Sequence, residues 1–289
     1  MGASEAAAPS TARPLLAGMK TTVIVTTYNR PDALACVLEG YCRQSDREFS
    51  LVIADDGSTE ETATVVRSFA REGGLRLTHV WHEDRGFRAA AIRNRAVAAT
   101  EADYIIFTDG DCVPSRRFVE AHKTLAEQGY FLGSHRILLS EALTKRVLRE
   151  QPPIERWRWT EWMRLWAKGD ADRLLPLVTV PDWSFRKWMP NRWKGIKTCN
   201  LSVWRSDLVR VNGLDESYEG WGLEDSDLVI RLLRAGVRHK SARFAAPVFH
   251  LWHPEQDRAK LPENRKRLES LLSSTAVRAA IGLDRYTTP

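Results

Sequence analysis

The sequence predicts an α/β fold in which a mostly parallel sheet is flanked by helices. The main observation is that apolar strand-like segments alternate four times with helical segments between residues 20 and 136. This alternation is typical of parallel strands joined by helices that cover both faces of the sheet. Polar clusters also follow three of the apolar segments, and ligands of such sheets bind beyond the carboxyl ends of the strands.

The elements of this half follow from local patterns. The first strand is predicted at 21–27, where TTVIVTT is rich in β-branched residues, and a proline then opens a helix over 31–43. The segment SLVIADDGS gives a second strand and a turn, followed by a helix over 60–71. A third strand is predicted near 75–81. The last elements are an alanine-rich helix in DRGFRAAAIRNRAVAAT, a strand in DYIIFTDGDC and a helix from Pro114 or Ser115.

A tryptophan-rich, basic insert interrupts this pattern between residues 140 and 197, which hold seven of the 11 tryptophans. Helical spacing predicts that four of its side chains share one helix face: Trp159, Trp162, Met163 and Trp166. That face could lie on anionic lipid, form a wall for sugar stacking, or form the core of a small subdomain. Beyond the insert, CNLSVWR predicts a strand, and the apolar stripe after EGWGLEDSDL predicts a helix that stops at Gly236.

The composition indicates a large globular domain with a slightly basic surface. The 289 residues are 43% hydrophobic and carry a formal charge of +6, which suits phosphates, nucleotides or an anionic membrane. The four cysteines have no C-x-x-C spacing, so a reducing cytoplasm is expected rather than a zinc site or a disulfide frame. No apolar run is long enough to cross a bilayer, and the start of the chain lacks the pattern of an export signal.

Two acidic clusters follow predicted strands. Asp109 and Asp111 form a D-x-D pair, and carboxylates at this spacing in a tight turn can bind one hard cation. Asp55 and Asp56 end the second strand, where a carboxylate can accept hydrogen bonds from a ribose or a pyrimidine. Either cluster alone is also typical of an ordinary surface turn. No glycine-rich phosphate loop occurs, so a metal ion and basic side chains would have to hold the phosphates of a nucleotide.

A third acidic cluster lies at the start of the helix in EGWGLEDSDL, which contains Glu224, Asp225 and Asp227. The helix dipole favours an ionised carboxylate there, and such a group can take a proton from an attacking hydroxyl. The preceding Gly-Trp-Gly supplies a hinge and an apolar platform for a sugar. In isolation the three acids could simply decorate a first helical turn.

Seven motifs in chain order, over about residues 20–255, resemble a bacterial family 2 glycosyltransferase with the Rossmann-like GT-A fold. They are VIVTTYNRPDAL, VIADDGSTEET, DRGFRAAAIRNRAV, IIFTDGDCVP, NLSVWRSDLVRVNGLDE, GWGLEDSDLVIRLL and FHLWHP. Within that family the sequence is similar to the subgroup whose C-terminal half resembles β-1,4-galactosyltransferases and chondroitin polymerases. The resemblance implies a nucleotide-sugar donor, usually a UDP-sugar, a divalent metal ion and inversion at the anomeric carbon.

The resemblance also implies roles for individual residues. Asp225 matches the general base, and Glu224 beside it is expected to bind hydroxyls of the acceptor or the donor. Nucleotide-sugar binding is expected of Thr27, Tyr28, Arg30, Asp55, Asp56, Arg88, Asp109 and Trp221. The expected ligands of a Mn²⁺ or Mg²⁺ ion are Asp111, Asp109, His253 and His250. Asp111 is preferred to Asp109 as a direct ligand, and His253 is preferred to His250.

The expected organisation is a flexible tail at 1–19 followed by a single GT-A domain. Its parts are a nucleotide-binding half at 20–136, the insert at 140–197, an acceptor and catalytic half at 198–255, and a C-terminal helical segment at 256–289. The expected reaction is transfer of a hexose or N-acetylhexosamine to a bacterial surface glycan such as lipopolysaccharide core, O-antigen or capsule. Two alternatives remain: a metal-dependent nucleotidyltransferase or phosphohydrolase, and a non-catalytic glycan-binding module. The expected location is the cytoplasm or the inner face of the membrane, and nucleic acid is not an expected partner.

Overall fold

The computed structural model describes residues 18–287, so the tail predicted at 1–19 lies almost wholly outside the described residues. Ten strands are present in this part of the chain. They are β1 (Thr21–Thr27), β2 (Ser50–Asp55), β3 (Leu77–Trp81), β4 (Tyr104–Asp109), β5 (Cys112–Pro114), β6 (Tyr130–Gly133), β7 (Arg136–Leu138), β8 (Asn200–Trp204), β9 (Arg238–Ser241) and β10 (Val248–His250).

Nine α-helices lie between or after these strands in the described residues. They are α1 (Pro31–Cys42), α2 (Glu60–Glu72), α3 (Ala89–Ala98), α4 (Phe118–Leu125), α5 (Glu141–Glu150), α6 (Trp159–Ala167), α7 (Arg205–Val211), α8 (Glu224–Arg234) and α9 (Leu261–Ser273). None of the helices in residues 18–287 is long and apolar enough to cross a membrane.

The central sheet has seven strands in the order β3-β2-β1-β4-β8-β6-β9. The four strands of the first half are mutually parallel, as the alternation of strands and helices predicts. Strand β8 instead runs antiparallel to both β4 and β6, which the sequence pattern did not indicate. The sheet is therefore mixed, and its parallel part places three polar strand ends at one edge.

The strands of the first half are buried on both faces, which explains their continuous apolar character. Val23 and Val25 of β1 belong to a core formed with α1 and α2, whereas Ile24 belongs to a second core formed with α3, α7 and α8. Because neighbouring side chains of a strand point to opposite faces, these two cores lie on opposite sides of the sheet.

A second, three-stranded sheet has the order β5-β10-β7 and was not predicted. It corrects one expected boundary: Pro114 is the last residue of β5 and pairs with Val248, so α4 begins at Phe118 and not at residue 114 or 115. The strand β10 lies between β5 and β7 and ends at His250, which pairs with Cys112. This sheet thereby brings the segment after Asp109 next to the expected histidines.

The tryptophan-rich insert contains α5, α6 and three short 3₁₀ turns. The predicted helix over Trp159–Ala167 is present, but its four marked side chains do not share one environment. Trp162 is buried and stacks on Phe249 of β10 with ring centroids 4.5 Å apart, whereas Trp159, Met163 and Trp166 are exposed. Trp162, at one edge of the predicted face, therefore joins the core, and the other three side chains stay exposed.

Candidate active site

The candidate site lies at the carboxyl ends of β1, β2 and β4. Thr27 at the end of β1 is in register with Asp55 of β2, and Thr26 is in register with Asp109 of β4. The three strand ends that the sequence marked as polar are therefore adjacent in space. This convergence follows directly from the parallel arrangement of the three strands.

Each carboxyl group of the Asp55-Asp56 pair is hydrogen-bonded to a histidine that sequence reasoning missed. Asp55 is fully buried. Its Oδ1 accepts a hydrogen bond from the amide of Ser58 at 2.8 Å, and its Oδ2 lies 2.9 Å from Nε2 of His79. Asp56 lies 2.6 Å from Nε2 of His82. The motif HVWHED carries both histidines at the end of β3, and their spacing of three was the signal that could have marked them.

The second oxygen of Asp56 accepts a hydrogen bond from the backbone N–H of Arg88 at 2.8 Å. Asp55 and Asp56 thus lie beneath the surface, with their orientation fixed by neighbours, and their carboxyl groups have little contact with solvent. A nucleoside could reach them only through lone pairs that the present bonds leave free. The exposed surface above the two aspartates is formed by other side chains.

Two aromatic side chains form the exposed rim above the aspartates. Tyr28 is 46% exposed and donates a hydrogen bond to Asp84, and this bond raises the pKa of the tyrosine. Trp81 is 51% exposed, and its Nε1 donates to the carbonyl of Ser58 at 3.1 Å. Both rings are held by a polar anchor at one end, so they offer apolar faces to a flat ligand.

The other residues expected to bind the nucleotide occupy three different environments. Thr27 is buried, and its hydroxyl has no hydrogen-bond partner in the described part of the chain. Arg30 pairs with Asp32 at 3.2 Å. Arg88 donates from its guanidinium to the carbonyl of Glu83. Of the three, only the arginines are placed to contact a ligand without first being uncovered.

Arg93 of α3 connects the D-x-D segment to α8, a role that no motif in the sequence indicated. Its buried guanidinium donates to Thr26 at 3.0 Å, to Asp109 at 3.1 Å and to Glu224 at 3.4 Å. Burial alone would lower the pKa of Arg93, but Asp109, Asp225 and Glu224 together raise it, so the guanidinium stays charged. Partial burial raises the pKa of Asp109 itself to about 6.

Asp111 faces two histidines in an arrangement suited to a metal ion. Its Oδ2 lies 3.4 Å from Nε2 of His253 and 3.7 Å from Nε2 of His250, and one donor atom from each residue lies within 4.8 Å of the others. Donors bound to a shared ion at about 2 Å are themselves about 3–4 Å apart, so the set fits. Burial lowers the pKa of His250 to about 4, which keeps its imidazole neutral, as a metal ligand must be.

A second possible donor set combines Asp109, Asp111 and Cys112. It fits less well, because a hydrogen bond to Cys199 and burial raise the pKa of the Cys112 thiol far above its ordinary value. A thiol binds metals as the thiolate, so this group is a poor ligand. Asp109 is also drawn towards Arg93, which leaves Asp111 as the carboxylate that faces the histidines.

The start of α8 places two adjacent carboxyl groups at the site. The chain enters the helix through Gly220, Gly222 and Leu223, all of which have positive φ. Asp225 accepts from the hydroxyl of Thr198 at 2.6 Å and lies 3.8 Å from Nζ of Lys197. The hydroxyl group of Thr198 thus fixes the orientation of the Asp225 carboxyl group.

Glu224 is buried beside Asp225, and its Oε2 has no hydrogen-bond partner among residues 18–287. Burial, and then repulsion by Asp225, raises the pKa of Glu224 to about 7, although Arg93 acts in the opposite direction. An unpartnered buried oxygen costs free energy unless a ligand completes it. Glu224 is therefore ready to exchange a hydrogen bond with a hydroxyl.

Asp227, the third acid of the segment, belongs to the core and not to the site. It accepts from Nε of Arg231 at 2.7 Å, one helical turn later, and Arg231 also donates to the carbonyls of Val211 and Gly213. Trp221 lies outside this network, between two cations: the guanidinium of Arg258 is 4.9 Å from its ring centroid and Nζ of Lys197 is 6.0 Å away.

Family models cover most of this architecture. Residues 22–186, more than half of the chain, match the model for glycosyl transferase family 2. The chain belongs to glycosyl transferase family 2. A second model, described as the N-terminal domain of galactosyltransferase, matches residues 181–254, which include Asp225 and both histidines. The predicted resemblance to this combination is confirmed.

Relatives of known name agree with this assignment. The chain is 34% identical over 236 residues to validoxylamine A glucosyltransferase of Streptomyces hygroscopicus subsp. jinggangensis (strain 5008), covering 75% of this chain and 52% of that protein. It is 26% identical over 297 residues to chondroitin synthase of Escherichia coli, covering 90% and 41% respectively. The chain therefore spans about half the length of the curated relatives it matches.

Solved structures confirm the GT-A fold class. Staphylococcus aureus TarS 1–349 in complex with UDP has a TM-score of 0.58 at 15% identity, over 93% of this chain and 68% of that one. Mannosyltransferase PcManGT from Pyrobaculum calidifontis, in complex with GDP-Man and Mn²⁺, has a TM-score of 0.57 at 19% identity, over 88% and 63%. At these identities the likeness shows the fold alone.

Proposed function

We propose that this family 2 member is an inverting, metal-dependent transferase that moves a hexose or N-acetylhexosamine from a UDP-sugar to a hydroxyl group of a bacterial surface glycan. The observation that carries the proposal is the link through Arg93, which joins Asp109 of the D-x-D segment to Glu224, the neighbour of Asp225. One buried cation thus fixes the donor side of the site relative to the side that would activate the acceptor.

The proposed donor site uses the exposed aromatic rim and the two aspartates beneath it. Tyr28 and Trp81 offer faces on which a base can stack, and Asp56 offers a fixed acceptor for a base or ribose N–H or O–H. A uridine nucleotide is supported by the solved complexes of TarS with UDP and with UDP-GlcNAc, and a guanosine donor by the complex of PcManGT with GDP-Man. Thr27, Arg30 and Arg88 are proposed to line the same pocket.

The proposed metal ligands are Asp111, His253 and His250, with Asp109 at the edge of the set. When bound there, a divalent ion would neutralise charge on the leaving diphosphate. Two imidazole donors favour Mn²⁺ over Mg²⁺, which prefers oxygen ligands and retains water. The Mn²⁺ in the PcManGT complex agrees with this choice.

Asp225 is the proposed general base. Its carboxyl group is anchored by Thr198 at the first turn of α8. In an inverting transfer it would accept the proton of the attacking hydroxyl, on the side opposite the leaving group. Glu224 would hold a hydroxyl of donor or acceptor through its unpartnered oxygen, and Trp221 would pack against a bound sugar.

The acceptor is proposed to be a glycan of the bacterial surface, such as lipopolysaccharide core, O-antigen or capsule. The support is the naming of relatives: chondroitin synthase of Escherichia coli and hyaluronan synthase of Pasteurella multocida. We further propose that residues 20–289 form one domain and that the enzyme works in the cytoplasm, at the inner face of the membrane. Family membership favours glycosyl transfer over the nucleotidyl transfer, phosphohydrolysis and simple glycan binding that the sequence had left open.

The first test is a donor panel in which binding of UDP, GDP, CDP and TDP is measured by calorimetry, each with Mn²⁺ and with EDTA. Metal-dependent binding of UDP is expected. Binding of none of the four would contradict the proposal, and preference for GDP would replace the uridine donor. Hydrolysis of the preferred sugar nucleotide should release the nucleoside diphosphate; release of a monophosphate and a sugar phosphate would instead indicate a phosphohydrolase.

The base is tested with Asp225→Asn, which keeps the size of the side chain and its bond to Thr198. Loss of the base is expected to lower kcat by a factor of about 10²–10⁴, while the affinity for the diphosphate stays within a few-fold. Asp284→Asn is a matched control, because Asp284 is exposed and pairs only with Arg278. Full transfer by the Asp225 variant would remove this residue from the mechanism.

A further inference from the structure

We propose that the exposed side of α6 is a docking surface for an anionic lipid bilayer. This side, called the α6 face, consists of Trp159, Met163 and Trp166, which follow each other at i, i+4 and i+7. They are 46%, 47% and 53% exposed. Two indole rings and a thioether held in water are unusual on a helix unless a partner covers them.

The α6 face is rigid, because the adjacent side of the helix is fixed in the core. Trp162 and Leu165 are buried, and Trp162 lies parallel to Phe249 with an interplanar angle of 6°. The exposed side chains cannot be buried by rotation of the helix without breaking this stack. An apolar ridge of fixed shape therefore projects from the surface.

Charge indicates what lies against this ridge. Residues 140–197 contain 13 of the 43 basic side chains and seven of the 37 acidic ones, so this segment alone has a charge of +6, equal to that of the whole chain. The remainder of the chain is balanced. On α6 itself, Arg164 and Lys168 are exposed, and neither lies within 4.0 Å of a carboxylate among residues 18–287. These cations are on the same short helix as the apolar ridge, so they lie within reach of the surface potential of an anionic bilayer, which falls off over a Debye length of about 10 Å.

A bilayer fits these features better than a folded protein does. Indole rings settle at the depth of the lipid headgroups, where their apolar body and N–H group are both satisfied, and lysines and arginines bind the anionic headgroups above them. Eight of the 15 exposed large apolar side chains of the described residues lie in residues 140–197. The α6 face is thus part of a segment that is enriched throughout in aromatic and basic residues.

Docking in this way would bring the lipid surface close to the candidate site. Phe249, on which Trp162 stacks, directly precedes His250 in β10. The α6 face is the outer side of the helix that covers this strand. An acceptor carried on a lipid would then be presented near the active site, although docking itself does not depend on the proposed reaction.

The test is co-sedimentation of the full chain with vesicles, without donor or acceptor. Vesicles of phosphatidylcholine alone are compared with vesicles that also contain a large fraction of phosphatidylglycerol, at low and at high salt. Two variants address the surface: Trp159→Ser with Trp166→Ser, and Arg164→Gln with Lys168→Gln. The matched controls are Leu272→Ser, which alters a side chain that is 46% exposed on α9, and Arg71→Gln with Arg116→Gln, which removes two exposed cations outside the segment.

The wild type is expected to bind the phosphatidylglycerol vesicles and to be released by high salt. Each surface variant should bind at least about tenfold more weakly, since each buried indole or neutralised cation contributes about 1 kcal/mol or more. The controls should bind like the wild type. No binding by the wild type, equal binding to uncharged vesicles, or undiminished binding by either surface variant would overturn the proposal. Circular dichroism and unchanged affinity for UDP establish that the variants are folded.

Discussion

The imidazole of His82 holds the carboxyl group of Asp56, with Nε2 of the histidine 2.6 Å from Oδ1 of the aspartate, and both side chains are buried. The other oxygen of Asp56 is held by the N–H of Arg88. An acid that is fixed at both oxygens can select a ligand group by position, because it cannot swing to meet a different one. His82 is therefore a positioning residue for the proposed donor site.

Replacement of His82 by Phe is expected to weaken donor binding and to leave the chemical step less affected. A displaced Asp56 loses its proposed hydrogen bond to the donor, and loss of a bond of about 1.5–3 kcal/mol raises the KM for the sugar nucleotide about 10–100-fold. His82→Gln can still donate to Asp56 and should recover part of this loss. Steady-state kinetics at several donor concentrations separate KM from kcat. A normal KM in the Phe variant would contradict the positioning role.

Removal of the Arg93 guanidinium should damage stability and activity together. Arg93→Met leaves Asp109 and Glu224 without their shared cation, and the loss of one partner of a buried ion pair costs about 3–5 kcal/mol. Urea unfolding at neutral pH measures the free energy of unfolding. Arg95→Met, two positions along the same helix, removes a guanidinium that packs on Tyr286 and should cost much less. Equal losses in both variants would mean that Arg93 is an ordinary structural arginine.

The raised pKa of Glu224 predicts a specific pH dependence of stability. Because burial raises this pKa from 4.5 to about 7, the folded protein keeps a proton that the unfolded chain releases between these values. The contribution of Glu224 is therefore favourable at low pH and is lost as the pH rises through 7. Glu224→Gln imitates the protonated side chain at every pH, so its stability relative to the wild type should increase from pH 5 to pH 8.

Thermal unfolding in EDTA across this pH range measures the effect without a bound metal ion. The exposed Glu219 of the same segment serves as a control, and the difference between wild type and Glu219→Gln should not change with pH. A constant difference for Glu224→Gln as well would show that this carboxyl group is already ionised at pH 5.

The proposed metal set predicts a graded loss of Mn²⁺. Asp111→Asn should abolish binding, because it removes the carboxylate that faces both histidines, and either His253→Ala or His250→Ala should weaken binding about 10–100-fold. Titration followed by the electron paramagnetic resonance of free Mn²⁺ gives the affinities. Asp103→Asn, which changes an exposed acid that accepts from the N–H of Lys20, should bind like the wild type. Normal binding by the Asp111 variant would place the ion elsewhere.

Local patterns predicted the first half of the fold closely. The proline at residue 31 marks the start of α1, and TTVIVTT coincides with β1. These predictions succeeded because a helix-starting proline and a β-branched run are each recognisable within a few residues. The three-residue strands β5, β7 and β10 were missed, since so short a segment has no measurable period. The predicted helix start at Pro114 was wrong for the same reason. A proline can begin a helix or end an edge strand, and only pairing with a neighbouring strand shows which of the two it does.

The sequence indicated which acidic residues would lie close together, but not which side chains form hydrogen bonds with them. Parallel strands bring their ends together by rule, so Asp55 and Asp109 were expected at one edge. Arg93 and Glu224 are 131 positions apart, and no periodicity relates a helix interior to a distant helix start. The same reason hides the partner of Trp162: its spacing from Trp159 is helical, but only the position of Phe249 determines which ring is buried.

The buried side chain of Arg186 has a consequence for how such enzymes diversify. Its guanidinium donates to the carbonyls of Val180 and Pro181 within the insert, to that of Ser241 at the end of β9 and to that of Arg243 just beyond it. These bonds tie residues 140–197 to the half that contains Asp225, while Lys187 and Glu155 of the insert pair with Glu127 and Arg43 of the nucleotide-binding half. A recombination that exchanges the insert should therefore preserve the carbonyl partners of Arg186 in the following segment and the charged partners of Lys187 and Glu155 in the first half.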